Sequence, residues 1–171
     1  MKAVADASSL IHSAKVPELW ALLKETLREI HIPQAVYNEI LKGEEIQSPD
    51  VPLIKKAISD GWIKVVKVKA VPKLPNNLGQ GEKEAIALTE QLKTDWQLID
   101  DRLASTTARL RCLPARSIVY LLIYWKKKGE INQDQAVKLL DDLIKSGYYL
   151  STRDYVSIKE TLSSETNQQT I

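Results

Sequence analysis

Cysteine, histidine and phenylalanine are nearly absent from this chain of 171 residues. Cys112 is the only cysteine, which excludes an internal disulfide and favours a reducing compartment, so we expect a cytoplasmic protein. The two histidines, His12 and His31, are too isolated in the sequence to form a zinc site with that cysteine. The net charge is only +2, so the overall field does not by itself indicate a nucleic-acid partner.

Several functional signatures are missing as well. We expect no signal peptide, because the first residues already have the pattern of a strand, and no apolar run approaches the roughly 20 residues that span a membrane. The sequence contains neither the G-x-x-x-x-G-K-[ST] loop of nucleotide-binding proteins nor the G-x-S-x-G turn of serine hydrolases. A Rossmann-like enzyme acting on small molecules would need a glycine fingerprint that this chain also lacks.

Short apolar runs alternate with longer segments of helical periodicity. This alternation predicts an α/β fold with a parallel sheet that has helices on both faces. At this length we expect a single domain over residues 1–162, followed by a polar, flexible tail over residues 163–171. The predicted strands are residues 2–6, 30–32, 62–68 and 96–99.

Four acidic residues occupy positions from which they could reach one point. Asp6 and Asp100 each end a predicted strand, and parallel sheets bind ligands beyond the carboxyl ends of their strands. Glu39 and Glu82 lie on predicted helices, beside the apolar stripe. Carboxylates gathered in one place repel one another unless a cation neutralises them, and hard divalent ions prefer oxygen ligands. The four residues therefore indicate a metal-dependent phosphodiester hydrolase.

Each acid also has an ordinary structural interpretation. Asp6 could cap a helix or turn, Glu39 could face solvent, and Glu82 could favour the start of its helix by its charge. We prefer Glu82 to Glu84 as a ligand, because Glu84 points nearly the opposite way around the predicted helix. Asp101 could be a further metal ligand or outer contact, or it could cap the following helix.

The candidate contacts to a substrate are less specific. Ser8 could hydrogen-bond a metal ligand or a phosphate near Asp6. The lysines at residues 126–128 could bind RNA phosphates together with several arginines, although such a run is more often the solvated end of a helix. The candidate arginines are Arg102, Arg109, Arg111 and Arg116.

Four motifs in combination resemble the PIN domain. They are VADASSLI at residues 4–11, IPQAVYNEI at 32–40, GEKEAIAL at 81–88 and LIDDR at 98–102. The resemblance covers nearly the whole chain and is closest to a VapC-like branch with extra C-terminal helices. It implies a three-layer α/β/α sandwich with a central parallel sheet, and an endoribonuclease that depends on Mg²⁺ or Mn²⁺. The family's catalytic and metal-binding acids fall on Asp6, Glu39, Glu82 and Asp100.

The resemblance also implies partners. Many relatives are toxins held inactive by a small antitoxin protein, and many are dimers. A homodimer is also expected from surplus apolar surface on two predicted helices. That surface comprises Leu19, Trp20, Leu22, Leu23, Leu27 and the helix over residues 132–146.

Two departures from the family pattern leave a second hypothesis open. Relatives usually carry an arginine where this chain has Ser105, and a Gly-Thr pair where it has Ser117-Ile118. Both changes follow the acidic cluster in sequence. The second hypothesis is a PIN scaffold that binds nucleic acid or a protein partner with little or no nuclease activity.

Overall fold

The computed structural model describes residues 1–164 and separates the chain into two compact units. The first unit is residues 1–118, and the second is residues 119–171, of which 119–164 are described. The prediction of one domain over residues 1–162 stays a prediction. Most of the predicted flexible tail, residues 165–171, lies outside the described residues.

A five-stranded sheet forms the centre of the first unit, and all its neighbouring strands are parallel. The strands are β1 Lys2–Ala5, β2 Glu29–Pro33, β3 Ile63–Val66, β4 Trp96–Leu98 and β5 Ala115–Arg116. Their order across the sheet is β3-β2-β1-β4-β5. Because β1 and β4 are parallel neighbours, their carboxyl ends lie side by side.

Helices cover both faces of this sheet. They are α1 Ala7–Ala14, α2 Pro17–Thr26, α3 Gln34–Leu41, α4 Asp50–Ser59, α5 Gln80–Leu92 and α6 Arg102–Leu110. On one face, Ile86 of α5 and Ala104 of α6 form a buried cluster with Ala115 of β5. Residues that alternate to the other face, such as Ala3 and Leu98, are fully buried as well. The predicted α/β sandwich with a central parallel sheet is confirmed.

Two strands differ most from the sequence prediction, and the bounds of the other three differ from it by one residue at one or both ends. β5 was not predicted, because a strand of two residues that follows Pro114 is too short to show alternation. β3 ends at Val66 rather than at Val68. Val66 and Val68 both pack against the cluster that contains Val4 and Leu88, so the chain stays on this cluster after its pairing with β2 has ended at Val66.

Further helices continue the chain after β5. They are α7 Ile118–Lys128, α8 Gln133–Lys145 and α9 Thr152–Ser163, which match the predicted C-terminal helices. Asn132 opens α8 with a capping box, in which its side chain accepts a hydrogen bond from Gln135 N at 2.9 Å. Within residues 1–164, no helix is both long enough and apolar enough to cross a membrane.

Most of the apolar surface that motivated the predicted homodimer is used within the chain. Its fully buried members are Leu19, Leu23, Leu27, Leu139, Leu140 and Leu143. Helical periodicity identifies an apolar face, but it cannot tell whether the same chain or a second copy covers that face. The homodimer therefore stays a prediction, with a weaker basis than the sequence suggested.

Candidate functional site

The first candidate acid, Asp6, directly follows β1 and is the N-cap of α1. Its Oδ1 accepts a hydrogen bond from Ser9 N at 2.8 Å, and its Oδ2 accepts one from Asp100 N at 3.3 Å. The capping interpretation is therefore confirmed. However, Asp6 is only 4% exposed. Burial penalises the charged form of its carboxyl group, and the role of a helix cap does not require such burial.

Asp100 lies two residues beyond the end of β4 and beside Asp6, as the strand order requires. Its Oδ2 accepts a hydrogen bond from Ser9 Oγ at 2.9 Å, and its Oδ1 accepts one from Ile118 N at 2.9 Å. Burial, followed by the charge of Asp100, raises the pKa of Asp6 to about 7, although hydrogen bonds from Ser9 oppose the rise. We call Asp6 and Asp100 the strand-end pair. It concentrates negative charge where water is largely excluded.

Sequence reasoning missed Ser9, which contacts both members of the strand-end pair. Ser9 is fully buried, and its backbone N–H donates to Asp6 while its hydroxyl donates to Asp100. Ser8, the residue chosen from the sequence, is exposed on the same helix, and its contact to a phosphate stays a prediction. The spacing Asp-x-x-Ser could have identified Ser9, because an N-cap side chain accepts from the N–H two or three residues later.

Glu39 projects from α3 to the start of α5. Its Oε1 accepts a hydrogen bond from Gly81 N at 3.1 Å. A Cβ atom on Gly81 would lie only 2.6 Å from that oxygen, so a glycine is needed for the carboxylate to approach the backbone this closely. Gly81 therefore holds Glu39 at the amino end of α5, where the helix dipole stabilises negative charge.

Glu82 lies in the first turn of α5 beside Glu39. Its Oε2 accepts a hydrogen bond from the N–H of the N-cap residue Gly79 at 2.8 Å, which confirms that it stabilises the start of its own helix. Burial raises the pKa of Glu82, and the charges of Asp101 and Glu39 add to the rise. Glu82 is thus both a cap residue and part of an acidic group. We call Glu39 and Glu82 the helix pair.

The two neighbouring acids, Glu84 and Asp101, have structural roles of their own. Glu84 Oε2 accepts a hydrogen bond from Ala35 N at 3.3 Å, which satisfies one of the free N–H groups at the start of α3. Glu84 therefore contacts α3 rather than solvent. Asp101 is the N-cap of α6 and accepts a hydrogen bond from Ala104 N at 2.8 Å, so the capping alternative is confirmed for this residue.

The acids form two pairs rather than one compact set. Asp101 connects the pairs, since it is adjacent to Asp100 in the chain and its charge acts on Glu82. In the part of the chain that the structure describes, no three Asp, Glu, His or Cys residues are grouped so that they could hold a metal ion. The convergence of all four carboxylates on one metal centre stays a prediction.

The chemistry of the donors fits Mg²⁺ or Mn²⁺. Every candidate ligand is a carboxylate, which is the ligand type that hard divalent ions prefer. Asp6, Glu39 and Glu82 form no ion pair with any lysine or arginine of residues 1–164. Burial, followed by the charge of Asp100, raises the pKa of Asp6, and a cation bound to its carboxylate would lower that pKa.

The arginines predicted to bind substrate do not form one patch. Arg102 and Arg109 are exposed near opposite ends of α6. Arg116 lies in β5, where its neighbour Ala115 packs against α6, and alternation directs Arg116 to the other face of the sheet. Arg111 forms an ion pair with an acid of α5. Contact of Arg102, Arg109 and Arg116 with a substrate stays a prediction.

Comparison with protein families assigns this fold. The model of a family described as a PIN domain (DUF3368) matches residues 2–164. This chain belongs to the PIN-domain family. PIN domains are generally nucleases that use divalent metal ions, so the acidic pairs of this PIN domain lie in a fold suited to the chemistry that the sequence indicated.

One solved structure of a similar protein agrees with this assignment at the level of the fold. A PilT N-terminus domain protein from the hyperthermophilic archaeon Sulfolobus solfataricus P2 is 21% identical, with a TM-score of 0.50. The similarity covers 69% of this PIN domain protein and 87% of that chain. A domain of a functionally unknown protein from Methanocaldococcus jannaschii DSM 2661 is 20% identical, with a TM-score of 0.45, and 68% and 89% of the two chains are covered. A search of curated proteins found no match.

Proposed function

We propose that this PIN domain is an endoribonuclease that depends on Mg²⁺ or Mn²⁺. The strand-end pair is the observation that carries the proposal. Asp6 and Asp100 lie together at the carboxyl ends of neighbouring parallel strands, which is where such sheets bind ligands. The pKa of Asp6 is raised to about 7, so ionisation of this buried aspartate beside the half-buried Asp100 is costly to the metal-free protein. A costly carboxylate pair in a nuclease fold favours a catalytic role over a structural one.

The two acidic pairs would have different roles in catalysis. Asp6 and Asp100 are the inner metal ligands in this proposal, while Glu39 and Glu82 hold a second ion or orient the attacking water. In either role their carboxylates strengthen the binding of metal at the shared site. Asp101 is a further ligand or an outer contact. A bound metal activates a water molecule and stabilises the charge of an in-line displacement at phosphorus.

Two residues of the chain position these acids. Ser9 holds Asp6 through its backbone N–H and Asp100 through its hydroxyl, which fixes the orientation of both carboxylates. Gly81 holds Glu39 through its N–H, at a distance that any side chain on residue 81 would prevent. Both are positioning residues, and neither needs to touch the substrate.

A finer proposal is that the protein is the toxin of a toxin–antitoxin pair of the VapC-like branch. The motifs and the C-terminal helices support this placement, since the family match extends over residues 2–164. A cytoplasmic homodimer that a small antitoxin inhibits would follow. A small reading frame directly upstream would support the pair, and light scattering on the purified protein at tens of micromolar would separate a dimer from a monomer.

The test of the nuclease proposal is a cleavage assay on mixed RNAs with Mg²⁺, Mn²⁺ or EDTA. We expect cleavage with either ion and none with EDTA. The Asp100→Asn variant is the control for a contaminating nuclease, because a contaminant would remain active in that preparation. Cleavage that persists in EDTA, or that is equal in parent and variant, would contradict the assignment.

The second candidate function is a PIN scaffold that binds RNA or a protein without cleaving it. Two observations favour it: the absence of a group of three metal-binding side chains among residues 1–164, and a buried Ser105 where the family pattern has arginine. The Ser117-Ile118 departure carries less weight, because Ile118 holds Asp100 through a backbone N–H that any residue except proline supplies. RNA binding without cleavage under every metal condition would favour this candidate.

A further inference from the structure

We infer that the segment of residues 67–79 binds the phosphates of an RNA strand beside the acidic pairs; we call this segment the lysine strap. The inference rests on the proposed function and names a substrate-binding surface for it. The strap leaves the carboxyl end of β3 and ends at Gly79, which is the N-cap of α5. Gly79 N donates to Glu82 at 2.8 Å, so the strap joins the helix pair directly.

The lysine strap and the residues around it carry only positive charges. Residues 61–81 contain four lysines and no aspartate or glutamate, although the whole chain is nearly neutral. The lysines of the strap itself are exposed, and none forms an ion pair with an acid in the described chain. These lysines are Lys67, Lys69 and Lys73.

Protection of a sheet edge does not explain these three lysines. Lysines on an edge strand commonly prevent unwanted strand pairing, and β3 is an edge strand. Lys64 lies within β3 and fits that role, and it is also paired with Glu29 Oε2 at 2.5 Å. The strap lysines come after β3 has ended, where there is no ladder left to protect.

The strap is fixed to the body of the first unit. Val68 packs with the buried cluster under α5, while Leu74 and Leu78 pack with the cluster that contains Ile86. Gln91 of α5 holds the backbone, since its Oε1 accepts from Lys69 N at 3.2 Å and its Nε2 donates to Ala70 O at 2.9 Å. The apolar residues of the strap therefore face the core and the lysines face solvent.

The strap begins at the carboxyl end of β3 and ends at the amino end of α5, where the helix pair lies, whereas Lys69 in its middle contacts Gln91 near the other end of α5. Cations along this path have an electrostatic function for an RNA strand that reaches the acidic pairs. The acidic pairs attract metal ions, but they repel the phosphates of a polyanion that must approach them. Lysines on a fixed strap offset that repulsion, and they lose less conformational freedom on binding than lysines on an unattached loop would. Phosphates of an RNA strand are the ligand that fits both the unpaired lysines and the neighbouring candidate nuclease site.

A triple substitution tests the inference. The variant is Lys67→Gln, Lys69→Gln and Lys73→Gln together, and its matched control is Lys24→Gln, Lys55→Gln and Lys56→Gln on α2 and α4, which removes the same charge from exposed positions. The measurement is fluorescence anisotropy of a labelled single-stranded RNA of about 20 nucleotides, in EDTA so that no cleavage occurs, over a range of salt concentrations. Binding of polyglutamate is measured in parallel.

We expect the strap variant to bind RNA about tenfold more weakly at 0.1 M salt. Its slope of log affinity against log salt should be shallower by about 2, whereas the control should retain the parent's slope.

Equal slopes in the strap variant and the control would overturn the inference. Loss of polyglutamate binding without loss of RNA binding would also overturn it, in favour of an acidic protein partner. If the strap variant loses RNA binding while the parent never cleaves RNA, the strap stands and the nuclease proposal fails.

Discussion

The strand-end pair and the helix pair place carboxylates in one region by different physical means. Asp6 and Asp100 come from neighbouring strands, and Ser9 bridges them from the interior of the fold. Glu39 and Glu82 lie on two helices, and each accepts a hydrogen bond from the backbone of a glycine at the start of α5. The strand-end pair is therefore fixed by the topology of the sheet, whereas the helix pair depends on the packing of α3 against the first turn of α5.

This difference determines how costly each pair is to the protein. Asp6 is buried and its pKa is raised to about 7, so its ionisation at neutral pH opposes folding. The helix pair lies where the amino end of α5 stabilises negative charge, and Glu82 also contributes a cap. A residue that helps to build a helix can be kept for stability alone, but a buried and repelling pair needs another reason. The strand-end pair is thus the stronger indication of function.

The largest expected effect is that of Asp100→Asn, which removes one charge of the strand-end pair and nearly keeps its shape. RNA cleavage should fall by orders of magnitude, and the rise in melting temperature that Mg²⁺ or Mn²⁺ gives the parent should be mostly lost. The metal-free protein should be as stable as the parent or more stable by about 1 kcal/mol, because a repulsion is removed. Cleavage assays and thermal melts with and without metal measure both effects.

A structural aspartate would behave in the opposite way. Its loss would destabilise the metal-free protein and leave the response to metal unchanged. That result would assign Asp100 to holding Ile118 and Ser9 rather than to binding a cation.

Gly81→Ala is expected to have the next largest effect, because it acts on the helix pair alone. The new Cβ would lie 2.6 Å from Glu39 Oε1, so the carboxylate must move away from α5. We expect cleavage to fall at least tenfold and the response to Mn²⁺ to weaken. Gly79→Ala is the matched control, since its Cβ would meet nothing closer than Glu82 Oε2 at 3.6 Å. Similar losses in both variants would show that the start of α5, and not Glu39, is being disturbed.

The pH dependence of stability measures the cost of the strand-end pair directly. Asp6 has a pKa of about 7 in the folded protein against 3.8 as the ordinary value, so between these values the folded chain keeps a proton that the unfolded chain has lost. Stability of the metal-free parent should therefore fall as pH rises through this window, and the cost is complete above about pH 7. Asp6→Asn removes the ionisation and keeps an efficient N-cap side chain.

We expect the stability of Asp6→Asn relative to the parent to increase by roughly 2 kcal/mol between pH 5 and pH 8. Denaturant melts at the two pH values in EDTA measure the difference, and titration of other groups largely cancels between the two proteins. A relative stability that does not change with pH would mean that Asp6 ionises as an ordinary aspartate does.

The smallest expected effect is that of Ser9→Ala, which removes the hydroxyl that orients Asp100. We expect a loss of about 1.5 kcal/mol, at the low end for one hydrogen bond to a charged group because Asp100 is half-buried, and a fall in cleavage without its abolition. Ser13→Ala is the matched control, because Ser13 is buried in the same helix but its hydroxyl donates to Ser9 O at 2.6 Å and not to an acid. If both variants lose equal stability and cleavage is unchanged in both, Ser9 does not position the strand-end pair.

Much of the fold was predictable from the sequence, because alternation of strand and helix patterns is a local property. The parallel sheet and the helices on both faces are confirmed, and Asp6 and Asp100 could be placed at strand ends from the apolar runs before them. The strand β5 could not be predicted, since its two residues pair with β4 only through tertiary structure. Local patterns also could not show that β1 and β4 are neighbours, which decides that the two aspartates meet.

The contacts of side chains were harder to predict than the strands. Glu84 was expected on the far side of its helix, but α3 packs against α5 and brings Ala35 N to its carboxylate. Ser8 was predicted to hydrogen-bond a metal ligand or a phosphate near Asp6, whereas the structure brings the buried hydroxyl of Ser9 to Asp100. Both differences arise from packing between elements, which periodicity in one segment does not report.

The most direct test of the central claim, that both pairs serve one metal site, is a titration of Mn²⁺ into three metal-free proteins by calorimetry. The proteins are the parent, Asp100→Asn and Glu39→Gln, so that each pair loses one charge in turn. The account predicts that the parent binds Mn²⁺ and that both variants bind it at least tenfold more weakly, because carboxylates of both pairs contribute to its binding. A Glu39→Gln protein that binds Mn²⁺ as tightly as the parent would contradict the account and limit the metal site to the strand-end pair.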